Sequence, residues 1–259
     1  MAEFNQYISS FSVDGLWGKR HIHWDSIFPG VNILVGINGS LKTTLLNLMY
    51  QHYSGDKKSR RKMDCTIKCQ PESLPNDVKV LFIDSIDVPA RNKKVNASAL
   101  MQELNYVVFQ NQEGISFFNY RMRILDMPEE AKRVEKRIKK FYSVVNELFK
   151  ETGKTIALDK NGNMGFMDQQ GQFVTLEQLS AGEKQMLLVL LKVFLLDEKP
   201  AVVFMDEPEL ALHIRWQRQL IDKLVELNPK AQYILTTHSP SMFSQGWGSQ
   251  AVYMNELTK

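Results

Sequence analysis

Near-continuous apolar runs of four to six residues, separated by polar loops, dominate the pattern along this chain. Val31-Asn32-Ile33-Leu34-Val35, Val78 to Asp84 and Ala201-Val202-Val203-Phe204-Met205 have the length and content of buried strands, and Gln232 to Thr237 reads the same way. Tyr7 to Val13 is β-rich, Asp14-Gly15 reads as a turn, and His21 to Trp24 as the returning strand. Helical spacing begins at Thr43 and runs to about Tyr53, with Leu45, Leu46, Leu48 and Met49 on the apolar side. Residues near Ala97 to Val108 also read as helix. Another helix is expected from Pro128, because proline suits the first helical position. In it Val134, Ile138, Phe141, Val145 and Leu148 recur at steps of 4, 3, 4 and 3, an apolar seam too short for a long coiled-coil arm. Asn161-Gly162 between Thr155–Leu158 and Met164–Met167 predicts a hairpin. A strongly apolar helix follows Leu179-Ser180 to about Leu196, a further helix spans Ala211 to Leu227, and Ala251 to Met254 reads as a last strand.

The alternation of helix and strand toward the C-terminus, with the opening strand–loop–helix unit, predicts an α/β fold. Its core is a mainly parallel sheet, flanked by an antiparallel β layer. A single domain over 1–259 with a helical insertion at approximately 97–152 accommodates the remainder. The charge sum, 32 basic against 29 acidic residues, is too small for a protein that coats nucleic acid. It leaves two local clusters. One is Lys57, Lys58, Arg60, Arg61 and Lys62, in a stretch from Ser54 to Asp64 that reads as an exposed loop. The other is Lys132, Arg133, Lys136, Arg137, Lys139 and Lys140. Each is either a solvated face or a contact for nucleic acid or an acidic partner. The longest apolar stretch, Met186 to Leu196, is interrupted by Lys192 and falls short of the roughly 20 residues that span a bilayer, so no membrane is expected. With no export signal at the N-terminus and only two cysteines, Cys65 and Cys69, a cytoplasmic protein with reduced thiols is expected.

Three segments carry chemistry. Gly36-Ile37-Asn38-Gly39-Ser40-Leu41-Lys42-Thr43-Thr44 lies between an apolar strand and a helix, the context of a phosphate-binding loop. Successive N–H groups and a helix N-terminus make a concave anion site there. Lys42 would reach the β- and γ-phosphates of a bound nucleotide, and the Thr43 hydroxyl would ligate Mg²⁺. The usual pattern has glycine where this chain has Leu41, which raises the expectation of a strained and crowded loop. Asp206-Glu207 ends an apolar strand: Asp206 can hold Mg²⁺, and Glu207 can orient a hydrolytic water. Tyr233 to Thr237 is a strand that ends at His238, 31 residues beyond Glu207. Trp17 either stacks on a base or packs in the β layer.

Leu179-Ser180-Ala181-Gly182-Glu183-Lys184 reads bottom-up as a helix N-cap, with Ser180 and Glu183 at capping-box spacing. It also resembles the Leu-Ser-Gly-Gly-Gln signature of ABC-type ATPases, in the form seen in the branch related to chromosome-maintenance and DNA-repair ATPases. His238 looks like that family's switch residue, and for the glutamine loop that the resemblance implies as completing Mg²⁺ coordination the candidates are Gln70 and Gln102. Asp206-Glu207-Pro208-Glu209-Leu210-Ala211-Leu212-His213 is similar to the AAA-type ATPases of the OLD (overcoming lysogenization defect) kind, and lacks the Ser-Ala-Leu-Asp run of transporter subunits. The resemblance implies that Ser180 and Gly182 bind the nucleotide of a second protomer, so that a homodimer forms head to tail around two composite ATP sites. It further implies an ATPase without the nuclease domain of its OLD relatives, since the chain runs only 21 residues past His238. The expected role is control of a separately encoded effector, a nuclease or toxin, in bacterial anti-phage defence or DNA maintenance. A non-hydrolysing scaffold or sensor that holds an effector inactive is the alternative, and a transporter ATPase the third reading.

Overall fold

The computed structural model describes residues 7–55, 65–84, 98–109 and 116–258. The basic stretch Lys57–Lys62 therefore lies outside the described residues. The chain divides into two compact units: Met1–Ser85, Glu198–Glu209 and Pro229–Lys259 form one, Ile86–Asp197 and Leu210–Asn228 the other.

The first unit holds the α/β core. Its strands β1 (Ser10–Leu16), β2 (Arg20–Trp24), β3 (Val31–Val35), β4 (Thr66–Gln70) and β5 (Lys79–Ile83) come from the N-terminal third, with helix α1 (Lys42–Ser54) between β3 and β4. A five-stranded parallel sheet and an antiparallel three-stranded sheet, ordered β2-β1-β4, share this unit. Alternation does its work in the antiparallel sheet: Phe11, Val13, Leu16, Ile22 and Trp24 are buried and pack with Leu45, Leu46 and Met49 of α1. Asp14-Gly15 is not a turn. It is an irregularity inside β1, where the register slips between Val13 and Leu16 and Gly15 takes φ 78°. A left-handed glycine serves a β-bulge as well as a turn, and the chain reverses two residues later, at Trp17-Gly18-Lys19.

The second unit begins with helices α2 (Ala99–Phe109), α3 (Phe117–Asp126) and α4 (Ala131–Phe149), followed by the antiparallel sheet β6 (Thr155–Leu158), β7 (Met164–Met167) and β8 (Phe173–Val174) and by α5 (Ala181–Phe194). The chain then returns to the first unit for β9 (Ala201–Met205), supplies α6 (Ile214–Leu227) to the second, and completes the first with β10 (Ala231–Thr237), β11 (Ala251–Tyr253) and the short α7 (Met254–Leu257). The parallel sheet is ordered β11-β3-β10-β9-β5. Its central strands β9 and β10 are buried at every residue, as strands covered on both faces must be. This α/β fold, a parallel sheet sharing its unit with an antiparallel sheet, is the expected class. Among the described residues no helix is long and apolar enough to cross a membrane.

The seam on α4 is buried as its spacing predicts: Val134, Phe141, Val145 and Leu148 are closed off from solvent. The helix starts at Ala131, three residues after Pro128, which sits in the preceding turn. The basic face of α4 is only partly a solvated one. Arg137 is buried, its Nε lies 3.2 Å from Asp197, and Arg133 (2.8 Å) and Arg123 (3.5 Å) close on the same carboxylate. The Tyr120 hydroxyl donates to it as well, at 2.7 Å. Burial alone would raise the Asp197 pKa, but the hydrogen bonds from Arg133 and Tyr120 outweigh it and hold the carboxyl below its ordinary range.

Removing one member of such a group strands the others without a counter-charge. Asp197→Asn should therefore cost about 3–5 kcal/mol in urea unfolding. Because the folded pKa is lowered, the stabilisation is complete above the unfolded value of about 3.9 and disappears as pH falls through the folded one. The stability gap between wild type and Asp197→Asn should thus be wide at pH 7 and narrow below about pH 4. A gap under about 1 kcal/mol at pH 7 would show that the ion cluster contributes little.

Candidate functional site

Between the end of β3 and the start of α1, the chain makes a loop whose backbone is bent twice into the left-handed region. Gly39 has φ 76° and Leu41, at the N-cap of α1, has φ 76° and ψ 10°. Glycine takes this conformation freely, whereas a leucine there costs about 1–3 kcal/mol. The expected strain is therefore present. The expected crowding is relieved by where the side chain goes: Leu41 is 8% exposed and belongs to the apolar core with Leu45 and Leu46. Gly36 is required by space, since a Cβ would lie 2.5 Å from Ser40 Oγ and 3.3 Å from Met254.

Lys42 is the first residue of α1 and is 4% exposed. Its ammonium donates to the carbonyls of Gly36 (2.9 Å) and Ile37 (3.3 Å), so it folds back over the loop. Burial pushes its pKa down, and the carboxylates of Glu207, Asp206 and Glu209 oppose that shift. The next residue, Thr43, donates to Asp206 Oδ1 at 2.9 Å. The same oxygen accepts the Thr236 hydroxyl at 2.6 Å, and that hydroxyl in turn accepts the Glu207 N–H at 3.0 Å. Parallel pairing of β9 with β10, Met205 opposite Leu235, is what brings these residues side by side.

His238 stands just past the end of β10. Its Nε2 lies 2.7 Å from Lys42 Nζ and 2.8 Å from Glu207 Oε1. One ring nitrogen either accepts from the lysine or donates to the glutamate. The two contacts therefore compete, and the three groups form a charge cluster open to rearrangement. Glu207 itself has φ 44°, a left-handed conformation of the kind that persists where the surroundings over-determine it. Glu209, to which the sequence reading gave no role, anchors the histidine from below. One of its oxygens accepts the His238 N–H at 3.2 Å and a very short hydrogen bond from the Thr237 hydroxyl. The other is buried with no hydrogen-bond partner among the described residues, and burial raises the pKa of the carboxyl despite the Thr237 and His238 bonds.

Lys42, Thr43, Glu207 and His238 line a cleft of about 460 Å³. The loop residues Asn38 to Thr44 form one part of its wall, and Glu207, His238, Trp17 and Arg20 complete it. Trp17 is 59% exposed, so it is not a packing residue of the β layer. Gln70 ends β4 and does not line the cleft. The chemistry of the walls suits a phosphate chain with Mg²⁺. The first amides of a helix are free of intrahelical partners, a lysine and an arginine supply positive charge, and the Ser40 hydroxyl is buried without a partner among the described residues. Thr43 and Asp206 offer the hard oxygen ligands that Mg²⁺ takes.

Ser180 and Gly182 belong to the second unit. Ser180 caps α5: its hydroxyl accepts the Glu183 N–H at 3.2 Å, and the Glu183 carboxylate accepts the Ser180 N–H at 2.8 Å. The capping box predicted from spacing is thus formed. Lys154 closes it with an ion pair of 2.7 Å to Glu183. Gly182 has a steric reason to be glycine, since a Cβ would meet the Ala211 carbonyl oxygen at 2.7 Å.

The family described as "AAA domain, putative AbiEii toxin, Type IV TA system" matches residues 70–244. The chain is 30% identical over 141 residues to the "Retron Vc95 probable ATPase" of Vibrio cholerae serotype O1 biovar El Tor, a match covering 49% of this chain and 26% of that protein. It is 43% identical over 56 residues to the Septu protein PtuA of Bacillus thuringiensis, covering 22% and 13%. The matched stretches thus span about a quarter or less of these relatives' own lengths. Among solved structures, an SMC head bound to the C-winged helix domain of ScpA is similar with a TM-score of 0.55 at 14% identity, over 92% of this chain and 91% of that one. A Pyrococcus furiosus "Putative ABC transporter (ATP-binding protein)" is similar with a TM-score of 0.53 at 14% identity, over 97% and 100%. These two likenesses concern the fold.

Leu41 yields a stability test with an unusual sign. Truncating a buried leucine costs about 2–5 kcal/mol, but glycine at φ 76° recovers about 1–2 kcal/mol of backbone strain that alanine does not. Leu41→Gly should be the milder substitution by about 1 kcal/mol, the reverse of the usual helix order. Chemical denaturation of the two variants decides it, and alanine proving the more stable would refute the strain.

Proposed function

Because the chain belongs to this AAA-domain family and has the fold of an ABC-type P-loop ATPase head, we propose that it binds ATP with Mg²⁺ and hydrolyses it. The observation that carries the reading is the convergence of Lys42, Thr43, Glu207 and His238 on one cleft, with Asp206 hydrogen-bonded to Thr43, from segments far apart in the chain.

The phosphates would lie along the loop, with the amides of Asn38 to Thr44 and the Ser40 hydroxyl as donors and Gly36 and Gly39 giving the loop its shape. Lys42 would leave the Gly36 and Ile37 carbonyls for the terminal phosphates. Thr43 and Asp206 would hold Mg²⁺, which when bound screens the charge of the phosphate chain. Glu207 is the residue to orient and polarise the attacking water. His238, fixed through its backbone by Glu209, would sense the terminal phosphate by exchanging its contacts with Lys42 and Glu207. Trp17, exposed at the rim, offers a stacking face to the base.

ATP would act as a ligand of the closed state, joining two copies head to tail so that Ser180 and Gly182 of each complete the cleft of the other. The capped N-terminus of α5 supports that role, because a helix N-terminus favours negative charge. In this reading the cycle controls a separately encoded effector, a nuclease or toxin, in bacterial antiviral defence or DNA maintenance in the cytoplasm. Kinship to a retron ATPase and to a Septu protein supports the defence setting.

Glu207→Gln should lower phosphate release by about 10²–10⁴-fold while ATP binding persists and the dimer accumulates in size-exclusion chromatography. Lys42→Ala should lose ATP binding. Undiminished release in the glutamine variant would refute the assignment. ATP binding without Lys42-dependent release in the wild type would instead favour a non-hydrolysing scaffold, the reading that Leu41 in the loop invites.

A further inference from the structure

Behind the turn that carries Trp17, the β1–β2 hairpin presents a group of side chains that nucleotide chemistry does not use. His21 and His23 are two apart on β2 and therefore on the same face of the strand. Antiparallel pairing of Ser12 with His23 and Val13 with Ile22 sets Asp14, the next residue of β1, against them. Asp14 Oδ1 lies 2.9 Å from His21 Nδ1 and 3.2 Å from His23 Nε2, and the three donor atoms all lie within 4.8 Å of one another.

We propose that Asp14, His21 and His23 bind a divalent transition-metal ion of the Zn²⁺ class. Two imidazole nitrogens and one carboxylate oxygen suit Zn²⁺ and its neighbours and not Mg²⁺ or Ca²⁺, which require oxygen ligands. Bonds of about 2.0–2.2 Å at tetrahedral angles put neighbouring donors about 3.3 Å apart, close to the two histidine–aspartate separations already present. The histidine side chains are 47% and 34% exposed, so the rings can turn inward to complete the set. Three protein ligands leave a coordination position for water or a further ligand. Lys68 is the opposing feature: its ammonium stands 3.8 Å from the other aspartate oxygen, Oδ2, on a side chain that is 76% exposed and free to swing away.

A bound ion ties the two strands of the hairpin together immediately behind the turn that lines the cleft. That consequence rests on the ATP-binding reading, while metal binding does not, so it is measured without nucleotide. Untagged protein stripped with chelator and then titrated with Co²⁺ and Zn²⁺ should take up one equivalent through these residues. His21→Ala and His23→Ala should each weaken that uptake at least tenfold, and Lys68→Gln should tighten it about two- to fivefold. Zn²⁺ should also raise the melting temperature of the wild type and leave that of His23→Ala unchanged. No uptake at 100 µM (about a hundredfold over a modest site), or uptake unaffected by both histidine substitutions, would overturn the site. All variants change exposed or half-exposed side chains, and circular dichroism before titration verifies that they are folded.

Discussion

One carboxylate oxygen, Oδ1 of Asp206, accepts the hydroxyls of Thr43 at 2.9 Å and Thr236 at 2.6 Å, and through it the start of α1 is tied to the C-terminal ends of β9 and β10. The three segments are distant in sequence, and none of their other hydrogen bonds joins all three at one atom. Ligand sites of open parallel sheets lie at the carboxyl ends of the strands, and here an acidic side chain joins those ends to the helix. The loop before α1 can then carry a strained Leu41, because the helix that follows is fixed at its first turn from outside.

Around that junction the charges are matched in an unstable way. Lys42, Glu207 and His238 meet at one imidazole nitrogen, which has a single in-plane bonding position. A cluster that satisfies all three groups would resist a ligand, whereas one that leaves competing contacts yields readily to an anion that resolves them. Glu209 supplies the rigid side of the arrangement, holding the Thr237 hydroxyl and the His238 backbone from a buried position. The site thus combines fixed backbones with exchangeable side chains.

The contiguous parts of this picture were readable from the chain. β3, β9, the β6–β7 hairpin and the seam of α4 follow from local apolar patterns, and the loop and acidic pair from motifs on them. What was not readable depends on distant pairing. β4, Thr66-Ile67-Lys68-Cys69-Gln70, has little apolar content and is a strand because β1 supplies its partners. Asp14-Gly15 carries turn chemistry but serves a bulge, since the two share the left-handed glycine. Arg133 and Arg137 look like part of a solvated face until Asp197, some sixty residues on, is seen to receive them. Thr236 and Glu209 likewise acquire meaning only from the register of β9 against β10.

The close approach of Gly182 to the Ala211 carbonyl bears on how genetic data from this chain are to be interpreted. Any side chain at 182 acts first as a wedge between α5 and the lead-in to α6, whatever the residue contributes to a partner's ligand. Inactive alleles at that codon would therefore report lost architecture, and Ser180, which is exposed and whose capping role threonine or aspartate can assume, is the cleaner position for separating recognition from folding.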